Sequence, residues 1–273
     1  MASPDTSFTL PQAQPSMAAD GKAQYDDFAS SYTSAADLPC VKLESELVRN
    51  ALGDCTGLTI LDLGGGSGIH ARHAIDAGAA SVDVFDISEE MLRMGWEIEA
   101  TLGRQGRIRW FRADATKPLT QQTEPRSLPV DGYDVVMVNW TFDNAKSTAE
   151  HRGMWENALS HLKPNGRFLS LRLQNLRPAY MTSGRYGVRF KDFEDIPGGV
   201  KYEVECHTQP LFTWGCTAMD SSPAEMDELP REFGLVDTEF ANPAQTETVQ
   251  NNLEFWKDFL HDPFFAMVTG RKR

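Results

Sequence analysis

Thr59-Ile60-Leu61-Asp62-Leu63-Gly64-Gly65-Gly66-Ser67-Gly68 decides how the rest of the chain is read. An apolar run rich in strand formers carries one carboxylate and ends in glycines, and a helix-forming segment, Ile69 to Ala80, follows. Short apolar runs bounded by turn residues fit a buried parallel strand. Glycine lets the backbone turn sharply and approach a ligand where a Cβ would clash. Strand, glycine turn and helix in that order predict the first unit of a nucleotide-binding α/β fold, whose ligand lies beyond the carboxyl ends of the strands.

The spacing narrows the ligand. A Walker loop needs Gly-Lys-Ser/Thr, and the stretch has none. The dinucleotide fingerprint fails from Gly64, where Ile69 takes the last place, but Gly66-x-Gly68-x-x-Ala71 is an allowed variant. The glycines alone leave a nicotinamide oxidoreductase open. With Asp62 ahead of them and further acids downstream, the stretch resembles motif I of the class I S-adenosylmethionine (SAM) dependent methyltransferases. That resemblance implies a loop along the methionine and ribose parts of SAM, with Asp62, Gly64, Gly66 and Gly68 in the cofactor site.

The chain has 273 residues, enough for one large α/β domain with an appendage. Its 39 acidic residues outnumber 26 basic ones, for a net charge of −13. A nucleic-acid surface needs a basic stripe, so a small-molecule partner is expected and nucleic acid is not. No apolar run reaches membrane-spanning length, and the N-terminus lacks a secretory pattern. The four cysteines, at 40, 55, 206 and 216, form no CxxC pair, so reduced thiols in a cytoplasmic protein are expected, with no metal site. Nothing distinguishes a monomer from a homodimer.

Residues 1–20 are poor in apolar side chains and predict a disordered tail. Tyr25, Phe28, Ala29 and Tyr32 then fall on one helical face. This is a packing helix or, since Tyr25-Asp26-x-x-Ala29-x-x-Tyr32 resembles the N-terminal segment of many small-molecule methyltransferases, a lid over residues 21–38. By that resemblance Tyr25 and Tyr32 join the cofactor site. Val41 to Leu52 predicts a helix. Ser81 to Phe85 is a second strand ending at Asp86, about 20 residues past the loop, where an acid accepts from ribose hydroxyls. Asp86-Ile87-Ser88-x-x-Met91-Leu92 resembles the family's second motif, which brings Ile87 and Met91 to the cofactor, and Ser88 is placed to cap the next helix.

Arg107 to Phe111 predicts a third strand leading to Asp114-Ala115, which the resemblance places at the adenine. Gly132 to Val138 predicts a fourth strand that delivers Asn139-Trp140-Thr141-Phe142 to the ligand end. Trp140 either lies beside the sulfonium, as an aromatic face attracts a cation, or covers the strand end. The Asn/Asp-Pro-Pro-aromatic motif of many amine and nucleic-acid methyltransferases is not present here. Ala149 to Leu162 has helical spacing, Lys163-Pro164-Asn165-Gly166-Arg167 reads as a turn, and Phe168 to Leu171 as the fifth strand. A helix over Glu225 to Phe233 and strands over Leu235 to Phe240 and Phe264 to Lys272 close the chain, unlike the six-strand dinucleotide fold.

The resemblance covers about residues 22 to 272. It implies a Rossmann-like α/β fold with a seven-stranded sheet, mostly parallel with an antiparallel last strand, and helices on both faces. The methyltransferase domain then spans 21–273, with residues 173–222 as a small cap after the fifth strand, or else as an edge hairpin. Strand-like runs Lys201 to Cys206 and Pro210 to Cys216 place Phe212 and Trp214 in the cap, which with Phe142 offer apolar surface to a substrate. Methyl transfer from a sulfonium chiefly needs alignment, and a hydroxyl acceptor also needs a base. His207 is the candidate base in the insertion, and His151 is another. Leu52-Gly53-Asp54-Cys55-x-Gly57-Leu58 and Ala71-x-x-Ala74-Ile75-Asp76-Ala77-Gly78-Ala79 resemble the fungal dithiol S-methyltransferases of the gliotoxin type, which implies a thiol acceptor such as a reduced epidithiodiketopiperazine. Oxygen or nitrogen acceptors, a nicotinamide enzyme and a catalytically silent partner are the alternatives.

Overall fold

A computed structural model describes residues 33–123, 128–219 and 225–273. The expected tail, and the lid tyrosines Tyr25 and Tyr32, lie outside them. Helix α1 (Pro39–Leu52) leads into β1 (Thr59–Leu63), then α2 (Ile69–Asp76), β2 (Ser81–Asp86), α3 (Glu89–Thr101) and β3 (Ile108–Arg112). After β4 (Tyr133–Met137), α4 (Thr148–Ser160) and β5 (Leu162–Leu173), the chain makes three further strands: β6 (Val188–Ile196), β7 (Gly199–Cys206) and β8 (Phe212–Ala218). It ends with α5 (Glu225–Glu232), β9 (Leu235–Phe240), α6 (Glu247–Gln250), α7 (Leu253–His261) and β10 (Phe265–Lys272).

The main sheet has seven strands in the order β3-β2-β1-β4-β5-β10-β9. β1, β2, β3, β4 and β5 pair in parallel, and β10 is antiparallel to both β5 and β9. Both faces are covered, which is why the strands read as near-continuous apolar runs. Alternate side chains go to opposite faces. Ile60, Val82, Val84 and Leu171 join α1 and α2 in one core, while Leu61, Phe85, Val136 and Phe168 join α4 in the other. This is the fold class expected from the sequence.

Three segments differ from expectation. Lys163 to Arg167 belongs to β5: the register shifts between Tyr133 and Val135 of β4, and Asn165 takes φ 60°, so the turn residues form an irregularity within a longer strand. Residues after β5 build their own antiparallel sheet, β6-β7-β8, in place of an edge hairpin on the main sheet. β6 and the helices α6 and α7 were not expected. Phe190, Tyr202, Val204, Cys206 and Phe212 turn one face of the small sheet into the first core, beside Trp256 and Phe259 of α7. Its strand β8 is tied to the turn that follows β4, because the Thr217 hydroxyl donates to the carbonyls of Ala145 and Asp143.

Candidate active site

The carboxyl ends of β1 to β4 form one connected rim. Gly64 and Gly65 N–H both donate to the Phe85 carbonyl, at 2.7 and 3.2 Å, so the glycine loop hangs on the end of β2. Thr141 donates from Oγ1 to the Leu63 carbonyl at 2.8 Å, and so ties the end of β4 to the end of β1. Gly64 has φ 74°, and a Cβ there would lie 2.2 Å from Thr141 Oγ1. Gly68 has φ 75°, and a Cβ there would strike the Trp110 ring at 2.6 Å. Both positions therefore exclude any side chain, for conformation and for space.

Asp86 binds the loop to the next helix. One carboxylate oxygen accepts from Gly66 N–H and the other from Ser88 N–H, each at 2.8 Å. Ser88 Oγ in turn accepts from Met91 N–H at 3.2 Å, the expected helix cap. Met91 sits over Gly66, where a Cβ would meet its methyl carbon at 3.0 Å, and Ile87 is half-buried beside it. Asp62 is buried beneath the loop, with Gly65 packed on its carboxyl group. Neither oxygen has a hydrogen-bond partner, since the Ala71 N–H approaches without completing a bond. Burial, and after it the Asp86 charge, pushes the Asp62 pKa up to about 7.

The third strand end behaves differently. Asp114 is buried, and its Oδ1 accepts from the N–H and hydroxyl of Thr116, at 3.0 and 2.6 Å. Its Oδ2 lies 3.0 Å from Lys117 Nζ. Burial alone would raise its pKa, but the hydrogen bonds from Thr116 and Lys117 outweigh it and hold the carboxyl below its ordinary value. Ala115 is half-buried next to it. Asn139 at the end of β4 accepts at Oδ1 from Leu171 N–H at 2.9 Å, which fixes the orientation of its amide. Its Nδ2 is buried without a partner, a donor waiting for an acceptor.

Trp140 has φ 61°, a strained conformation for a residue with a side chain. Its ring is held from two sides. The indole N–H donates to Glu44 Oε2 at 3.1 Å, and Phe265 meets the ring edge-on with centroids 5.7 Å apart. Glu44, on α1, had no place in the sequence-based site. It retains part of its surface, yet the packing around its carboxylate pushes its pKa up to about 8, with the Trp140 hydrogen bond opposing. The signal for it was in the sequence: Glu44 interrupts the buried stripe Cys40, Leu43, Leu47 and Val48 of an amphipathic helix.

The expected substrate residues fall in two packing clusters, although the turn Phe142–Asn144 meets β8. Phe212 and Trp214 stack at 5.4 Å on the small sheet, in the first core. Phe142 belongs to the second core, stacked on Trp155 at 4.2 Å with the Arg172 guanidinium over its ring. His151 is a packing residue whose Nε2 accepts from Trp155 Nε1 at 3.2 Å. His207 lies on the exposed side of the small sheet, 3.2 Å from Glu205, and does not reach the rim. Two surface depressions, of about 380 and 540 Å³, flank the end of α4 near His161 and share no residue with the rim. All four cysteines are buried and free, no group of metal-ligating side chains occurs among the described residues, and no described helix is long and apolar enough to cross a membrane.

Residues 60–166 match the family described as a methyltransferase domain. A search of curated protein sequences found no match. Among solved structures, the CcbJ methyltransferase from Streptomyces caelestis is 19% identical, with 92% of this chain and 97% of that one covered and a TM-score of 0.58. A SAM-dependent methyltransferase from Mesorhizobium loti is 21% identical, covers 82% and 95%, and gives a TM-score of 0.54. A DhpI complex described with SAM is 18% identical, covers 93% and 100%, and gives 0.57. At these identities the solved structures establish the fold, and the matched domain adds the class of enzyme. With the strand order and the glycine rim, they make this chain a SAM-dependent methyltransferase of the class I fold.

Proposed function

We propose that the chain transfers a methyl group from SAM to a thiol of a small, partly aromatic metabolite, for which a reduced epidithiodiketopiperazine is the working example. The observation that carries the donor half is the rim itself: glycines 64 and 68 without room for side chains, Gly66 at φ 54°, a loop-bound carboxylate at Asp86, and an unpartnered buried donor at Asn139. These residues fit SAM. Asp86, which holds Gly66 and Ser88 at the end of β2, stands where an acid accepts from the ribose hydroxyls. Ile87 and Met91 supply apolar contact, and Asn139 Nδ2 supplies a donor. Asp114 and Ala115 face the adenine, Asp114 giving up Lys117, the more exposed of its partners. SAM brings an activated methyl on a sulfonium, so the protein's task is alignment.

The acceptor half rests on three supports. The chain is strongly acidic, which disfavours nucleic acid. The small sheet is tethered through Thr217 to the turn that follows β4, and it carries the stacked pair Phe212 and Trp214. The resemblance around Cys55 and Ala71 points to dithiol S-methylation. Residues 173–222 are then the substrate cap, and Tyr25 to Tyr32 the lid. The test is methyl transfer to matched thiol, alcohol and amine versions of one scaffold, with calorimetry of SAM, S-adenosylhomocysteine and NAD alongside. Binding of SAM and turnover of the thiol are expected. Turnover of the alcohol or amine alone would overturn the thiol assignment, and binding of NAD alone would overturn the donor.

A further inference from the structure

Glu44 is an expensive choice for the place it occupies. It lies on the buried stripe of α1, one helical turn from Cys40 and Val48 and flanked by Leu43 and Leu47. α1 crosses the sheet near β5 and β10, and the Glu44 side chain reaches a residue 96 positions away, at the ligand end of β4. Its one hydrogen-bond donor is neutral, the indole of Trp140, and no cation pairs with it among the described residues. The titratable groups facing it are Cys40 on its own helix and Cys206 of β7, both buried thiols whose pKa values are raised mainly by burial and further by Glu44. Holding an indole N–H needs only a neutral acceptor such as glutamine. A carboxylate in this setting carries a desolvation cost that the hydrogen bond alone does not recover. The two histidines singled out by the sequence are elsewhere, one packed on Trp155 and the other on the outer side of the small sheet.

We infer that Glu44 is the proton acceptor of the methyl transfer, taking the proton that the acceptor atom loses while its hydrogen bond to Trp140 holds the carboxylate at the β4 strand end. The inference rests on the reading that the acceptor binds between β4 and the small sheet. The balance is simple. A lone pair on the acceptor sulfur forms the new bond to the methyl carbon, the old carbon–sulfonium bond returns its pair to the departing sulfide, and the thiol proton moves to Glu44. A sulfonium cation and a carboxylate are consumed, and neutral S-adenosylhomocysteine, a neutral thioether and a neutral carboxylic acid remain. A pKa of about 8 suits this task, because a base works best when it titrates near the operating pH.

The test compares Glu44→Gln with wild type on an alkanethiol, protonated at the assay pH, and an arenethiol, already ionised. The glutamine amide oxygen still accepts from Trp140. The variant is expected to bind S-adenosylhomocysteine within about twofold of wild type, and to lose roughly 10²–10³-fold on the alkanethiol but at most a few-fold on the arenethiol. Equal losses on both would reduce Glu44 to a positioning residue, and no loss on either would remove it from the reaction; both overturn the proposal. If wild type methylates no thiol, the thiol reading above fails, and the same comparison runs on phenol and 4-nitrophenol. A readout without turnover is the Trp140 indole ¹⁵N–¹H resonance, assigned with Trp140→Phe. It should titrate with a midpoint near 8 in wild type and stay still in Glu44→Gln. A resonance that does not move in wild type across that range overturns the proposal.

Discussion

The rim at the ends of β1 to β4 and the small sheet β6-β7-β8 are built on opposite principles. The rim is made by backbone. Its glycines, its carbonyl at Phe85 and its N–H groups at Gly66 and Ser88 leave little freedom for substitution. The small sheet is made by side chains. One face supplies Phe190, Tyr202, Val204 and Phe212 to the core, and the other carries Arg189, Lys191, Glu203, Glu205 and His207 among its ion pairs. A backbone site binds one constant ligand, whereas a side-chain surface can change with its acceptor. The difference teaches where a substitution should abolish binding of SAM and where it should only retune the acceptor.

The sharpest test of the rim is Gly64→Val. The new Cβ would lie 2.2 Å from Thr141 Oγ1 at φ 74°. Overpacking and a left-handed β-branched residue together cost on the order of 3–5 kcal/mol. Calorimetry should show S-adenosylhomocysteine affinity lost by more than about 100-fold, and circular dichroism a lower melting temperature, on that scale of energy. Thr141→Gly added to Gly64→Val should recover part of the binding, because it removes the atoms in the way. Wild-type affinity in the single variant would show that the rim tolerates side chains and would erase the contrast with the small sheet.

Next in size is Asp62, where the effect has a direction in pH. Its carboxyl titrates near 7 in the folded protein against an ordinary value of 3.8. A group shifted upward in this way favours the folded state only while it is protonated. That stability is present below the ordinary value and is lost as the pH rises from about 4 to about 7, up to a limit on the order of 4 kcal/mol. Asp62→Asn removes the titration. The stability of the variant relative to wild type should rise across that window and then level off, whatever constant cost the buried amide adds. Denaturant melts at pH 4, 5.5 and 8 measure this. A relative stability that falls with pH would mean that the carboxylate has a strong partner under the loop.

The two regions also differed in how far they could be read from sequence. The rim was legible because its determinants are local: glycines at fixed spacing, a strand before and a helix after, and an acid at each strand end. Asp86 and Ser88 took the places that spacing assigns them. Asp62 and Asp114 also stand at their strands' ligand side, and what the spacing did not show is their surroundings, Gly65 packed on one carboxyl group and Thr116 with Lys117 engaging the other. The small sheet was half legible. β7 and β8 alternate cleanly, but β6 holds an irregularity between Lys191 and Glu194 with Asp192 at φ 54°. Phe142 packs in the second core and Phe212 with Trp214 in the first, although the turn that carries Phe142 meets β8, a contact between distant stretches that no local pattern shows. Glu44 was missed because its partner is 96 residues away, and no local pattern shows such a contact.

A smaller effect is expected at Trp214, half-buried and stacked on Phe212. Trp214→Ala should raise the KM of a thiol acceptor by roughly 5- to 30-fold, from about 1–2 kcal/mol of lost aromatic contact, and leave S-adenosylhomocysteine affinity alone. Loss of both in proportion would mean that the small sheet also supports the rim, and the division of labour would collapse.

The smallest effect is expected at His207, and for that reason it tests the division most directly. His207 is the residue that a search for a base in the insertion would choose. Its ring lies 3.2 Å from Glu205 Oε1, in a cluster where Arg189 at 2.8 Å and Lys191 at 3.4 Å already satisfy the same carboxylate. Strand alternation puts Glu205 and Cys206 on opposite faces, and it is the Cys206 face that packs into the core with Trp140. The pair is worth about 0–1 kcal/mol, because its His207 end is exposed to solvent and Arg189 and Lys191 already serve the buried Glu205 carboxylate. His207→Ala should therefore change kcat/KM for a thiol by less than about twofold at any pH, whereas removal of a true general base costs about 10²–10⁴-fold. Rates from pH 6 to 9 with both His207→Ala and Glu44→Gln make the comparison. A large loss at His207 with none at Glu44 would move the proton acceptor from the helix that contacts the rim to the outer side of the small sheet. Acceptor chemistry would then approach from the solvent face, and the stacked pair Phe212 and Trp214 would be core and nothing more.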